Sequence, residues 1–167
     1  MNNHKNEKEY EKAIKEYGGI ISKICYYFSD DPEEFKDLRQ EVLLNIWKGW
    51  EKFRKDAKIS TWIYRICFNT CISYQRKEKK NNNISLEDAF NLPDETEAGT
   101  LEKYKTMHYL ILKLGYKDRA MILMWLDEKS YEEISELMGM NRNTVAVRLK
   151  RIKERLVKMK EELEGQV

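Results

Sequence analysis

The sequence predicts an all-α fold of two small helical domains joined by a flexible linker. Apolar residues recur at spacings of three and four along most of the 167 residues, as they do on the buried face of amphipathic helices. Only 2 Pro and 7 Gly interrupt this pattern. Residues 81–100 hold five acids and no Lys or Arg, together with an Asn run, a Pro and a Gly. We therefore expect domains at residues 1–80 and 101–167 and an acidic linker at residues 81–100.

The composition excludes several classes of protein. Charged residues make up 36% of the chain, against about 25% in an average domain, but 31 basic and 29 acidic residues leave a net charge of only +2. A polycation and an acidic tail are thus both excluded. No stretch approaches the ~20 apolar residues of a membrane span, and the first residues lack the apolar stretch of a signal peptide. We expect a cytoplasmic protein without membrane insertion.

The residues of metal and redox chemistry are scattered. Three cysteines, Cys25, Cys67 and Cys71, lack CxxC spacing, which predicts a reducing compartment and buried packing roles. His4 and His108 have no candidate ligand near them in sequence. The acids form no recognisable metal-binding or acid–base constellation. We expect no metal, no cofactor, no small-molecule substrate and no enzymatic activity.

The first block contains three predicted helices. The first spans about residues 7–28, with Gly18 and Gly19 in its middle. The second begins after Asp31, an N-cap residue followed by a proline and, at the third helical position, a glutamate, and it runs to about residue 50. The third begins with Ser60 as its cap. The expected buried positions of the second and third helices are Phe35, Leu38, Val42, Ile46, Ile63, Ile66, Cys67, Thr70 and Tyr74.

The second block ends in a helix-turn-helix pattern. Two apolar helices are predicted near residues 101–114 and 118–126. The capping box at residues 130–133 then begins a short helix that ends at Gly139, and Asn141 caps a long final helix. The expected buried positions are Ile134, Leu137, Val145, Leu149, Ile152, Leu156, Met159 and Leu163. A short helix, a tight turn containing Gly and a second helix are typical of DNA-binding proteins.

The final helix has the polarity of a DNA-reading helix. Residues 142–160 include eight basic residues and one acid. Asn and Arg read base edges in the major groove, and neighbouring cations contact phosphates. The side opposite the apolar stripe carries Asn143, Val147, Lys150, Arg151 and Lys158. A solvated basic face is the simpler alternative, but the preceding capped helix and Gly turn favour DNA binding.

The third helix carries a second polar face beside its apolar one. This face holds Trp62, Arg65, Asn69, Ser73 and Arg76. Trp, Arg and Asn together stack on an unpaired base, bind phosphate and bond base edges in single-strand readers. Phe53, in the charged loop at residues 52–58, extends this candidate site. The alternative is that the Trp packs and the polar residues are solvated.

Both blocks resemble a known family in the expected order. The segment at residues 37–47, the segment at residues 60–66, Asn69 and Arg76 resemble region two of bacterial sigma factors of the extracytoplasmic-function (ECF) group, within the sigma-70 family. Ser130 through Gly139, followed on the final helix by residues 143–145 and 148–149, resembles region four of the same factors. The likeness extends over about 130 residues, and the combination of motifs is specific.

The resemblance implies a sigma factor that binds core RNA polymerase, recognises promoter DNA and helps to open it at the start of transcription. An anti-sigma factor is a further partner that it implies. Carried over by position, the residues fall into three groups. The core polymerase-binding residues are Asp37, Gln40, Glu41 and Trp47, and the −10 DNA-binding residues are Trp62, Arg65, Asn69 and Arg76. The −35 DNA-binding residues are Arg142, Asn143, Val147, Arg148, Lys150, Arg151 and Arg155. The alternative function is a helix-turn-helix transcriptional regulator that acts without polymerase.

Overall fold

Seven α-helices and no strand are found in the part of the chain that the structure, a computed structural model, describes: residues 2–53, 58–78, 90 and 98–166. The all-α prediction is confirmed. The helices group into two compact units, an N-terminal unit of the first three helices and a C-terminal unit of the last four. In order they are α1 (Asn2–Tyr26), α2 (Pro32–Trp50), α3 (Ile59–Glu78), α4 (Ala98–Leu112), α5 (Tyr116–Leu126), α6 (Tyr131–Met138) and α7 (Arg142–Gly165).

Most of the predicted linker lies outside the described residues. Phe90 is the exception before α4, which begins at Ala98, three residues earlier than predicted. The Phe90 ring meets the buried His108 of α4 edge to face, with the ring centroids 5.1 Å apart. One aromatic side chain of this polar segment therefore packs against the C-terminal unit.

Helix starts follow the predicted caps at α2, α6 and α7. The Asp31 carboxylate accepts the Glu34 N–H at 2.8 Å, and the Asn141 side chain accepts the Thr144 N–H at 3.1 Å. The prediction that Ser60 caps α3 is wrong, because α3 begins at Ile59 and Ser60 lies within its first turn. The helical hydrogen bonds start two residues earlier than a Ser60 cap would place them, because the Lys58 carbonyl accepts the Trp62 N–H.

The N-terminal unit buries the predicted face of α2 and a wider face of α3. Phe35, Leu38, Val42 and Ile46 are all buried, as expected. On α3, Ile63, Cys67 and Thr70 are buried but Ile66 and Tyr74 are only half-buried. Because α3 packs against both α1 and α2, it also buries residues that the single predicted stripe omitted. These are Tyr64, Phe68, Cys71 and Gln75.

Side chains also bond the helices of the N-terminal unit to one another. The Asn45 amide donates to the Thr70 hydroxyl at 3.0 Å, and the Gln75 amide donates to the Phe28 carbonyl at 2.8 Å. All three cysteines are buried in this unit. Burial, with a smaller effect of Cys25, raises the pKa of the Cys67 thiol, which keeps it neutral and suited to packing.

The C-terminal unit is built around α5. Residues 119–124 of this helix are all buried. Ser130 and Glu133 exchange the two hydrogen bonds of the predicted capping box, and α6 ends at Gly139 with φ +64°. The stripe of α7 is buried at Val145, Leu149 and Ile152 and only half-buried from Leu156 onward. The second half of α7 therefore packs less tightly than its first half.

Candidate functional site

The turn between α6 and α7 is fixed by bonds at both helix ends. Gly139 takes up the left-handed conformation that a side chain would strain, and its N–H donates to the Ser135 carbonyl. The Ser135 hydroxyl donates to the Met140 carbonyl, one residue before the Asn141 cap. This geometry sets the direction in which α7 leaves the turn and therefore which of its faces is presented to solvent.

The presented face is the basic one that the sequence predicted. Asn143, Lys150 and Arg151 are exposed, and Val147 is 52% exposed. A concave surface runs along this side of α7, and α5 contributes one residue to it. It is lined by Asp118, Asn143, Thr144, Val147, Arg148, Arg151, Ile152 and Arg155. Five of the seven predicted −35 residues thus meet in one depression: Asn143, Val147, Arg148, Arg151 and Arg155.

Each of the three arginines assigned to phosphates contacts a different preceding helix or its end. Arg142 Nε lies 2.6 Å from Glu132 Oε1 of α6, and Arg148 Nε lies 2.6 Å from Asp118 Oδ1 of α5. Arg155 donates to the Lys113 carbonyl, just beyond α4, at 3.3 Å. The sequence prediction missed the two acids, because contacts 10 and 30 residues apart leave no local pattern.

Glu132 is ionised more readily than an ordinary glutamate. Its own backbone N–H at the start of α6, and then the Arg142 guanidinium, lower the pKa of its carboxyl group. Arg142 also lies over the Tyr131 ring, 5.6 Å from the centroid. The start of α7 is therefore tied to the start of α6 at the surface.

The polar face of α3 is open except at Trp62. Arg65, Asn69, Ser73 and Arg76 are exposed along successive turns. Trp62 is half-buried and packs against Phe53, with centroids 4.8 Å apart, and against Trp50 at 5.9 Å. We call Tyr10, Trp47, Trp50, Phe53 and Trp62 the aromatic cluster. Residues 54–57 of the predicted loop lie outside the described residues.

Backbone packing brings Trp62 close to α2. A Cβ at Gly49 would lie 3.0 Å from the Trp62 ring, so the glycine leaves room for the indole. The sequence prediction found Phe53 and Trp62 but missed the rest of the cluster. Their separation across three helices explains why periodicity within one helix did not reveal it.

The exposed side of α2 carries a mixed acidic and apolar stripe. Asp37, Gln40 and Glu41 are exposed, and Trp47 is 43% exposed. Leu44, one turn before Trp47, is 48% exposed and was not predicted. An apolar residue at helical spacing from Glu41 and Trp47, off the buried stripe, is the signal that could have found it. Two large apolar side chains beside acids are typical of a protein-binding surface.

The described part of the chain has neither a candidate membrane span nor a candidate metal site. No helix there is both long enough and apolar enough to cross a membrane. No group of three or more His, Cys, Asp or Glu residues is arranged to hold a metal ion there.

Comparisons with known proteins decide the family. The profile of sigma-70 region 2 matches residues 13–81, and that of sigma-70 region 4 matches residues 105–156. The chain is 30% identical over 162 residues to the ECF RNA polymerase sigma factor SigW of Bacillus subtilis, a match that covers 88% of this chain and 86% of SigW. The chain belongs to the ECF sigma factors of the sigma-70 family.

Other relatives agree along nearly the full chain of this sigma factor. The RNA polymerase sigma factor YlaC of Bacillus subtilis is 27% identical over 170 residues, with 95% of this chain and 98% of YlaC covered. The ECF sigma factor SigM of Mycobacterium tuberculosis is 24% identical over 152 residues, with 90% and 76% covered.

Two solved structures share the fold of this sigma factor. The sigma factor RpoE of Bartonella quintana, crystallised with the anti-sigma factor NepR, has a TM-score of 0.69 at 19% identity, covering 92% of this chain and 98% of RpoE. CnrH, in complex with the cytosolic domain of CnrY, has a TM-score of 0.67 at 18% identity, covering 93% and 90%.

Membership of the family establishes the function in outline. The sigma factor binds core RNA polymerase and promoter DNA and acts in transcription initiation. The alternative, a helix-turn-helix regulator independent of polymerase, is not supported, because the region 2 match covers residues 13–81, most of the N-terminal helical unit.

Proposed function

We propose that the sigma factor divides its work among three helix faces, with α7 reading the −35 element. The observation that most directly supports this proposal is the exposed basic face of α7. This helix follows the capped α6 and the turn at the left-handed Gly139. Asn143, Val147, Lys150 and Arg151 contact base edges in the major groove. Arg142, Arg148 and Arg155 contact the phosphates that flank them.

The polar face of α3 binds the −10 element as its strands separate. Arg65, Asn69 and Arg76 supply exposed donors for phosphates and base edges. Trp62 and its neighbours in the aromatic cluster offer a surface on which an extracted base stacks. Extracting a base costs a few kcal/mol, and stacking on an aromatic ring returns about 1–3 kcal/mol per base. The two terms are of similar size, so base capture at this face helps to open the DNA.

The stripe on α2 binds core RNA polymerase. Asp37, Gln40, Glu41 and Trp47 are the residues assigned to this contact, and the exposure of Leu44 adds it to the surface. Buried aromatic anchors carry most of the binding energy at protein interfaces. Trp47 is the one large aromatic of this stripe, and it packs edge to face with Tyr10, with the ring centroids 4.8 Å apart.

The proposal also includes an inhibitory protein partner and a subcellular location. Two solved structures with this fold are complexes, one of the sigma factor RpoE with the anti-sigma factor NepR and one of CnrH with the cytosolic domain of CnrY. A partner of that kind silences this chain by covering the faces of α2 and α7. The sigma factor catalyses no reaction itself, and it works in the cytoplasm, where polymerase and DNA meet.

A promoter library tests the division of labour on α7. Holoenzyme assembled from the full chain and core polymerase transcribes templates randomised at the −35 element, and the transcripts are sequenced. We expect Arg151→Ala to relax the choice at one base and Arg155→Ala to lower transcription from all sequences alike, because phosphate contacts carry no direct sequence information. Identical sequence profiles for the two variants would contradict the assignment.

A further inference from the structure

We propose that Asp118 is a positioning residue for promoter binding: it holds the Arg148 guanidinium by Nε so that the terminal nitrogens face the DNA. The bond joins Arg148 Nε to Asp118 Oδ1 at 2.6 Å. The inference rests on the proposed contact between Arg148 and a −35 phosphate. It adds a residue of α5, outside the helix-turn-helix motif, to the recognition apparatus.

The pair lies inside the DNA-facing depression and not beside it. Asp118 and Arg148 both line the concave surface that also holds Asn143 and Arg151. Their side chains are 27% and 35% exposed, so solvent screens this pair less than it screens a fully exposed one. A guanidinium has five N–H donors in a planar fork. A carboxylate on Nε leaves the four terminal N–H donors for a phosphate.

Asp118 is itself held in a rigid element. It lies in the first turn of α5, and the next residue, Arg119, is 1% exposed and donates to the carbonyls of Leu112 and Leu114 at 3.1 Å each. The carboxylate is therefore fixed relative to the packed centre of the unit. Restraining a flexible arginine before DNA arrives lowers the entropy lost when it binds.

The sign of the expected effect separates positioning from simple electrostatics. Asp118 is a negative charge in a surface that meets phosphates, so by charge alone its removal should tighten DNA binding. If Asp118 positions Arg148, its removal should weaken binding although the surface becomes more basic. If Asp118 only maintained the fold, its removal would neither weaken nor tighten DNA binding, provided the C-terminal unit stays folded.

The pair of Glu132 and Arg142 provides a matched control. It has the same 2.6 Å bond between a carboxylate and an arginine Nε, but its side chains are 67% and 59% exposed. Exposed ion pairs contribute little free energy, because solvent screens the charges and both side chains lose conformational freedom. Glu132→Ala should therefore leave promoter affinity unchanged or raise it slightly.

The test measures the affinity of holoenzyme for the best promoter from the library, with Asp118→Ala, Asp118→Asn, Arg148→Ala and the double Ala variant. We expect Asp118→Ala and Arg148→Ala each to weaken binding roughly three- to tenfold. Asp118→Asn keeps an oxygen acceptor for Nε and should stay within about twofold of the unmodified chain. In the Arg148→Ala background, Asp118→Ala should cause no further loss.

The outcomes distinguish a failure of the proposed Arg148 phosphate contact from a failure of the Asp118 positioning role. If Arg148→Ala leaves affinity intact, the proposed phosphate contact fails and the inference fails with it. If Arg148→Ala weakens binding but Asp118→Ala does not, or tightens it, only the positioning role is overturned. Additive losses in the double variant also overturn it. Thermal unfolding of each variant confirms that the folded chain was measured. If Asp118→Ala unfolds, Asp118→Ser replaces it, because the serine side chain is one atom shorter and loses the bond to Nε.

Discussion

Arg119 is the residue on which the C-terminal unit depends most clearly. Its side chain is almost wholly buried, and one terminal nitrogen donates to the last carbonyls around the end of α4. Those carbonyls belong to Leu112 and Leu114, which are themselves 0% exposed. A buried charge is tolerated where it satisfies groups that would otherwise lack donors.

Replacement of Arg119 should therefore be costly. Arg119→Ala removes the donor from two buried carbonyls and leaves a cavity, so we expect a loss of about 3 kcal/mol in the free energy of unfolding. Arg151→Ala, at an exposed position of α7, should change stability by less than about 0.5 kcal/mol. Urea unfolding of the full chain measures both, and equal midpoints for the two variants would refute the structural role of Arg119.

Single residues also show which parts of the site can be predicted from the sequence. The exposed positions Asn143, Val147 and Arg151 followed from the spacing of the buried stripe on α7, because both faces belong to one helix. The partners Asp118 and Glu132 did not, because they approach α7 only when separate helices pack. Spacing within a helix predicts which side is presented, and tertiary contacts decide how each presented side chain is held.

At the scale of helices, end signals were read correctly where a side chain caps the helix. Asp31, Ser130 and Asn141 all accept a backbone N–H as predicted. At α3 the sequence predicts Ser60 as the cap, but the helix starts at the preceding residue. A serine also fits inside the first turn of a helix, so its presence alone does not fix the boundary.

Two glycines in helical units should respond to alanine with opposite signs. Gly18 lies inside α1 with no atom within 4 Å of an added Cβ, so Gly18→Ala should stabilise the protein by about 0.5–1 kcal/mol. Gly139 has equal space but a φ of +64°, so Gly139→Ala should destabilise it by about 1 kcal/mol. Thermal unfolding checks the pair, and a shift of the same sign in both would contradict the assigned conformations.

Because Trp62 packs against other aromatic residues, its removal should affect stability as well as strand opening. Trp62 both faces the proposed −10 site and packs on Phe53 and Trp50, so Trp62→Ala should impair strand opening and also lower the stability of the N-terminal unit. Binding to duplex −35 DNA should persist, because the proposed −35 reader is α7, in the other unit. Permanganate footprinting of holoenzyme complexes measures the opening of thymines.

Phe68→Leu is the control for stability in this experiment. Phe68 is 3% exposed in the same helix but lies outside the aromatic cluster, so its replacement destabilises the unit without touching the proposed base site. Normal permanganate reactivity in Trp62→Ala, or an equal defect in Phe68→Leu, would rule out a direct role of the indole.

At the scale of the molecule, the proposed function uses separate surfaces on two helical units. The N-terminal unit bears the α2 stripe and the α3 face, and the C-terminal unit bears the basic face of α7. The net charge of +2 conceals this arrangement, since eight of the basic residues fall between residues 142 and 160. Local charge and exposure, more than overall composition, therefore indicate which unit binds which partner.

The affinity of the full chain for core RNA polymerase, measured for the unmodified protein, Trp47→Ala and Arg151→Ala, tests this account most directly. Trp47 is the exposed aromatic anchor of the α2 stripe, so Trp47→Ala should weaken binding roughly tenfold or more. Arg151→Ala, which alters only the proposed DNA-binding surface of α7, should bind polymerase like the unmodified chain. Unchanged affinity in Trp47→Ala, or a loss confined to Arg151→Ala, would contradict the assignment of polymerase to α2 and DNA to α7.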